Sequence, residues 1–130
     1  LKKVDSFAVK GLHGSSRALL AASLFNNEPH NYMYILNDLE SAGYFYHDIT
    51  QILGSQNALF YPSAYKRAAK YGQIDSANEI LRTEVLSKLH SQSTPAIIVT
   101  YPDALSEKTV SGEVMTKNTL KIAIGDKLDF

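Results

Sequence analysis

The chain has 130 residues, and its thirteen basic residues balance thirteen acidic ones, so net charge gives no indication of a polyanionic partner. It contains no cysteine, which excludes disulfides and thiolate metal sites. No apolar run approaches membrane-spanning length and no signal peptide is evident, so we expect a cytoplasmic protein without membrane contact. The length suits one domain with a real core, and the start at Leu1 leads us to expect a piece of a longer protein.

Short apolar runs alternate with helical patterns along the whole chain. The predicted strands are Phe7–Lys10, Tyr32–Leu36, Ala58–Tyr61, Ala96–Thr100 and a half-exposed run containing Leu120, Ile122 and Ile124. The predicted helices are 18–25, 39–53 and 75–90, followed by a short helical turn at 102–105. Strands and helices alternating at this spacing are typical of right-handed βαβ units. We therefore predict a three-layer α/β fold around a mainly parallel sheet.

Helix faces and helix ends can also be predicted. The second helix carries an apolar stripe at steps of three and four, formed by Leu39, Ala42, Tyr46, Ile49 and Leu53. The third carries a stripe at steps of four, formed by Ala77, Leu81, Val85 and Leu89. Asn37 precedes Glu40 by three residues, close to a capping box, and Gly54 is expected to end the helix.

The stretch before the first helix has the outline of a phosphate-binding loop, G-x-x-x-x-G-K-[S/T]. Gly11 matches the first glycine, whereas Ser16, Arg17 and Ala18 stand at the positions of the second glycine, the lysine and the hydroxyl residue. Ser16 adds a Cβ where the backbone must approach a phosphate, Arg17 is a poor substitute for a lysine point charge, and Ala18 has no oxygen for magnesium. We predict a loop that keeps its shape and binds no nucleotide.

This degenerate phosphate loop comprises Gly11, Gly14, Ser15, Ser16, Arg17 and Ala18. Ser15 or Ser16 is expected to cap the helix that follows. Further along, Asp38 follows an apolar strand, as the magnesium-binding carboxylate of an ATPase would. The start of a capped helix explains Asp38 more simply.

A second candidate site is the loop after the third predicted strand. It interleaves positive charges with aromatic rings at Tyr65, Lys66, Arg67, Lys70 and Tyr71. Such a combination can hold a nucleic-acid backbone and stack on bases. A solvated loop is the simpler interpretation, because a few lysines are ordinary on a protein surface.

Metal and nucleophile motifs are not evident. The four histidines stand far apart without metal-ligand spacing, and no G-x-S-x-G sequence occurs. We therefore expect no catalytic residues, no bound metal and no cofactor.

Four short stretches follow one another along nearly the whole chain: Gly11–Leu20, Asn37–Ala42, Leu59–Pro62 and Leu120–Asp129. Taken in order, they resemble the N-terminal part of the bacterial transcription-repair coupling factor (Mfd) family, which is similar to the core of the excision-repair protein UvrB. That family often has a Trp-Glu pattern after the third strand, where this chain has 63–67, Ser-Ala-Tyr-Lys-Arg. Contacts made through that acidic residue are not carried over to this chain.

The resemblance implies a P-loop, helicase-like subdomain over residues 1–127, with 128–130 beginning a UvrA-binding insertion. It implies a non-catalytic scaffold that supports UvrA recruitment in transcription-coupled nucleotide excision repair. Contacts with RNA polymerase and DNA, and the ATP-driven motor, would belong to other parts of the full protein. Two alternatives stay open: a functional nucleotide-binding helicase subdomain, in which Arg17 and the loop amides hold a phosphate, and a DNA-contact module working through Lys66–Tyr71.

Overall fold

A computed structural model describes residues 8–65, 74–91 and 94–109, together with Val114 and Lys117. The helices are α1 (Ser16–Asn27), α2 (Leu39–Leu53), α3 (Ser76–His90) and α4 (Pro102–Ser106). The strands are β1 (Tyr32–Ile35), β2 (Ala58–Phe60) and β3 (Ile97–Thr100), with a short 3₁₀ helix at Ser55–Asn57 before β2. These elements confirm the predicted helices and the three strands between α1 and α4.

The three strands form a small, open, parallel sheet in the order β1-β3-β2. Ile97 in the central strand is paired with Tyr32 on one side and with Ala58 on the other. β3 is buried along its whole length, which explains its uninterrupted apolar run. The predicted α/β class with a parallel sheet is confirmed for this part of the chain.

Helices lie on both faces of the sheet. On one face, α2 packs against β2 and β3, and its Phe45 ring also contacts Tyr34 of β1, with centroids 5.1 Å apart. On the other face, α3 packs against β2, and the guanidinium carbon of Arg82 lies 4.2 Å from the centroid of the Tyr61 ring. α1 packs mainly against α2, and its Phe25 ring also contacts the ring of Tyr32 in β1, with centroids 6.3 Å apart. No helix in the described part of the chain is long and apolar enough to cross a membrane.

The predicted apolar stripe of α2 forms the main contact with the sheet. Ala42 and Ile49 are fully buried, and the other three stripe residues are partly buried against the same core. Gly54 ends the helix with a φ of 84°, a backbone angle that favours glycine. The N-cap, however, is Asp38 rather than Asn37, because the Asp38 carboxylate accepts a hydrogen bond from the Ser41 N–H at 2.7 Å.

Two predicted strands are not part of the described sheet. Ala8–Lys10, most of the predicted first strand, is exposed and forms no strand, and Phe7 lies outside the described residues. The apolar run at Leu120, Ile122 and Ile124 also lies outside them.

The buried face of α3 differs from the predicted one. Of the expected stripe, only Val85 is buried, Leu81 is half-buried, and Ala77 and Leu89 are exposed. Arg82 is buried instead, with 6% of its surface exposed. A purely apolar pattern misses this residue because burial of a charge is costly unless partners are supplied from elsewhere in the fold.

Candidate functional site

The loop before α1 turns at two glycines and then bonds back on itself. Gly11 and Gly14 have φ angles of 80° and 54°, in the region that glycine adopts most readily. The Ser16 hydroxyl and the Ser16 N–H both donate to the carbonyl oxygen of His13, at 2.6 and 3.2 Å. Ser15 occupies the N-cap, one of the two expected positions, but in a helical conformation and without the side-chain hydrogen bond of a capping serine.

Arg17 and Ala18, the next two residues of the loop, lie in opposite surroundings. The Arg17 side chain is exposed, whereas Ala18 is completely buried in the apolar core. Its methyl group helps α1 to pack against α2. A larger hydroxyl residue at position 18 would therefore enter a filled core rather than a solvent-facing metal site.

The loop and α2 border an open cleft of about 440 Å³ beside the carboxyl end of β1. Gly14 and Arg17 line one side, and Leu36, Tyr44 and Asp48 line the other. The amino end of α1 favours negative charge, but the Asp48 carboxylate repels a bound anion. For a polyphosphate, the attraction of the amino end of α1 is therefore counteracted by the repulsion of the Asp48 carboxylate.

Of the candidate DNA-contact residues, only Tyr65 is described. Tyr65 is 49% exposed and forms an antiparallel bridge with Ile74. Beside this bridge, the Asp75 N–H donates to the Ala64 carbonyl oxygen at 2.8 Å. The remaining four candidates, Lys66, Arg67, Lys70 and Tyr71, lie outside the described residues.

A buried ion pair that the sequence analysis did not anticipate lies beyond the carboxyl ends of β2 and β3. Nη1 of Arg82 lies 3.2 Å from Oε2 of Glu107. The same nitrogen donates to the carbonyl oxygens of Pro62 at 2.8 Å and Ala104 at 3.1 Å. Arg82 therefore joins the chain after β2, helix α4 and the segment that follows α4.

The Glu107 carboxylate completes this arrangement. It accepts a hydrogen bond from the Ala64 N–H at 2.8 Å and a second from the Ser63 hydroxyl. Asn78, one turn before Arg82 on α3, donates to the Ser63 carbonyl oxygen at 2.9 Å. We call the ion pair of Arg82 and Glu107, with its bonds to 62–64 and 104, the clamp.

A pocket of about 380 Å³ opens beside the clamp. Its charged side chains are Glu79, Arg82, Glu107 and Lys108, two acidic and two basic. Mixed charges of this kind select no single class of charged ligand. The one sequence signal for the clamp is the pair of polar residues four positions apart, Asn78 and Arg82, on a helix face that also carries Val85.

In the ranges 8–65, 74–91 and 94–109, no three His, Asp or Glu side chains come together as metal ligands would. Comparison of the chain with protein-family models, with curated proteins and with solved structures finds no match.

Proposed function

We propose that this chain is a non-catalytic, helicase-like scaffold with a degenerate phosphate loop, of the kind found in the UvrB-like part of bacterial transcription-repair coupling factors. Its role is to carry and orient the segment that recruits UvrA in transcription-coupled nucleotide excision repair. UvrA binds mainly to the domain that follows this chain. RNA polymerase and DNA contact other parts of the full protein.

The observation that carries the proposal is the state of the loop before α1. A working phosphate loop presents free backbone N–H groups, a lysine and a magnesium-binding hydroxyl. Here the Ser16 N–H and hydroxyl are both bonded to His13, and Ala18 is buried. The positive charge of Arg17 remains at the cleft, but the negative charge of Asp48 lines the same cleft and weakens its attraction for an anion. A loop in this state supports a structural role better than nucleotide chemistry.

The clamp supports the scaffold part of the proposal. Through Glu107, the segment that leaves α4 is bonded to Ser63 and Ala64, which follow β2. The chain continuing beyond Thr109 thus starts from a fixed point on the sheet. A binding element mounted on an ordered base loses less conformational freedom when it meets its partner, so less of its binding energy is spent on ordering.

A binding experiment with purified UvrA tests the proposal. Residues 1–130 alone should fail to capture UvrA, and a longer chain that includes the following domain should capture it. The following domain without residues 1–130 should bind more weakly than the longer chain, because it lacks its ordered base.

Two results would contradict this assignment. One is strong capture of UvrA by residues 1–130 alone, abolished by surface substitutions within them, which would place the partner site in this chain. The other is equal affinity of the following domain with and without residues 1–130, which would remove the scaffold role. A variant of the longer chain carrying Arg17→Ala serves as a control, since the exposed Arg17 side chain is not part of the proposed platform.

A further inference from the structure

The outer strand β1 is covered on one face only. Tyr32 and Tyr34 are half-buried on the face packed by α2. Met33 and Ile35 point to the opposite face, where they remain 50% and 56% exposed. α3 lies on that second face but packs over β2, at the other side of the sheet. Two large apolar side chains of this outer strand are thus exposed to solvent, next to a central strand that is buried.

The outer edge of β1 is open as well. The N–H groups of Tyr32 and Leu36 donate to Ala96 and Thr100, on the side of β3, at 3.1 and 2.9 Å. Backbone groups alternate in direction along a strand, so the N–H groups of Met33 and Ile35 point to the outer edge. Exposed apolar edges of this kind invite pairing, and native proteins usually cover them.

The connections between the described strands indicate what covers this edge. From β1 the chain passes over the face of Tyr34, through α2, to β2. From β2 it returns in the opposite direction over the other face, through α3, to β3. Opposite directions over opposite faces give both connections the same hand, and parallel connections are right-handed in nearly all proteins.

After β3 the chain again turns to the face of α3, because Ala104 and Glu107 both contact Arg82. A third connection of the same hand over this face continues in the direction from β2 to β3. β1 already occupies the next place, so the connection leads to the outer edge of β1. The chain from 107 to 120 can extend to roughly 40 Å, well beyond the roughly 10 Å that separates β3 from that edge.

We propose that the segment Leu120–Ile124 pairs in parallel with the outer edge of β1, and that the chain leading to it covers Met33 and Ile35. Val114 and Lys117, on the way to this segment, are helical, as the connection between two parallel strands usually is. The alternation of Leu120, Ile122 and Ile124 with polar or small residues suits a half-exposed outer strand. The other nearby segment, Ala8–Lys10, is exposed and forms no strand, so it does not occupy the edge.

Amide hydrogen exchange on the whole 130-residue chain, followed by NMR, tests the proposal. The amides of Met33 and Ile35 should exchange about a hundredfold or more slowly than free peptide amides, as should those of Tyr32 and Leu36. The protection should not change when the protein is diluted tenfold. Free exchange at Met33 and Ile35 alone would overturn the proposal, and so would protection that disappears on dilution, which would indicate a second copy of the chain at this edge.

A substitution tests whether the segment Leu120–Ile124 causes the slow exchange of the Met33 and Ile35 amides. Ile122→Lys, or the milder Ile122→Ala if the lysine variant does not fold, should speed exchange at Met33 and Ile35 at least about tenfold while Tyr32 stays protected. Leu19→Lys, at an exposed position of α1, is the matched control and should change neither. Unchanged protection in a folded Ile122 variant would overturn the proposal. UvrA plays no part in these measurements, so their outcome is independent of the proposed recruitment role.

Discussion

Arg82 and Glu107 form an ion pair in which the two side chains are only 8% and 14% exposed. Removing two charges from water is costly, so such a pair is weak evidence for stability by itself. Its effect here is geometric, because Arg82 and Glu107 are hydrogen-bonded to residues 62 and 64, which follow β2, and to residue 104 of α4. The clamp therefore fixes the position of the chain that follows α4 relative to the carboxyl ends of β2 and β3.

Replacing Arg82 with alanine should destabilise the fold by roughly 3–5 kcal/mol, because the Glu107 carboxylate is left buried without its partner. Urea unfolding followed by circular dichroism measures the change. Arg17→Ala removes the same charge from an exposed position and should lie within about 0.5 kcal/mol of the parent chain. Glu107→Gln should cost less than Glu107→Ala, since the amide oxygen can still accept from the Ala64 N–H. Equal stability of the Arg82 and Arg17 variants would contradict the structural role of the clamp.

The chain should not bind ATP with useful affinity. Ala18 offers no magnesium ligand, Ser16 has its N–H and hydroxyl bonded to His13, and Asp48 lines the same cleft as Arg17. Calorimetry with ATP and magnesium should show no saturable heat up to millimolar concentrations of nucleotide. A micromolar dissociation constant that Arg17→Ala abolishes would instead support the nucleotide-binding alternative.

Replacing each of two glycines in or beside α2 with alanine should change the stability of the fold in opposite directions. Gly54 has φ 84° and ψ 154°, a conformation almost restricted to glycine, so Gly54→Ala should cost about 1–3 kcal/mol. Gly43 lies within the helix with open space around it, so Gly43→Ala should stabilise by about 0.5–1 kcal/mol. Thermal unfolding of the two variants checks the pair. A stabilising Gly54→Ala would show that the helix ends differently.

The start of α2 gives a test of the corrected N-cap. Asp38 accepts a hydrogen bond from the Ser41 N–H, so Asp38→Ala should cost about 1 kcal/mol of folding free energy. The neighbouring Asn37 is exposed and precedes the cap, so Asn37→Ala should have an effect within about 0.5 kcal/mol. Urea unfolding of both variants distinguishes the two positions. A larger loss from Asn37→Ala would restore the cap that the sequence predicts.

Stability at alkaline pH should depend on Tyr34. Burial, with a smaller effect of the neighbouring Tyr32, raises the pKa of Tyr34 above its ordinary value of 10.0. The folded state then holds the phenol proton more tightly than the unfolded state does. This contribution to stability is complete below pH 10 and is lost as the pH rises through the raised pKa.

Tyr34→Phe keeps the ring beside Phe45 and removes the ionisable group, so the alkaline loss of stability should become smaller. Tyr44→Phe, at a position 69% exposed, is the matched control and should leave the loss unchanged. Urea unfolding of each variant at a series of pH values gives the comparison. An identical alkaline loss in the parent and in Tyr34→Phe would contradict the assignment.

Local periodicity determined much of this fold. The run Ile97–Val99 predicts a strand, and the spacing of Ala42 and Ile49 predicts the buried side of α2. These patterns succeed because a regular backbone repeats its orientation every two or 3.6 residues. The absence of a hydroxyl at Ala18 is equally visible in the sequence, since metal ligation depends on the atoms that the side chain carries.

The tertiary structure alone decided the surroundings of Arg82. Arg82 is buried because Pro62, Ala104 and Glu107, all 20 or more residues away along the chain, bring their oxygens to its guanidinium. No periodicity in α3 contains those partners. The same holds for β3 as the central strand, because its two neighbours are separated from it by helices. Long-range partners determine whether a polar group can leave water, and only the folded chain brings them together.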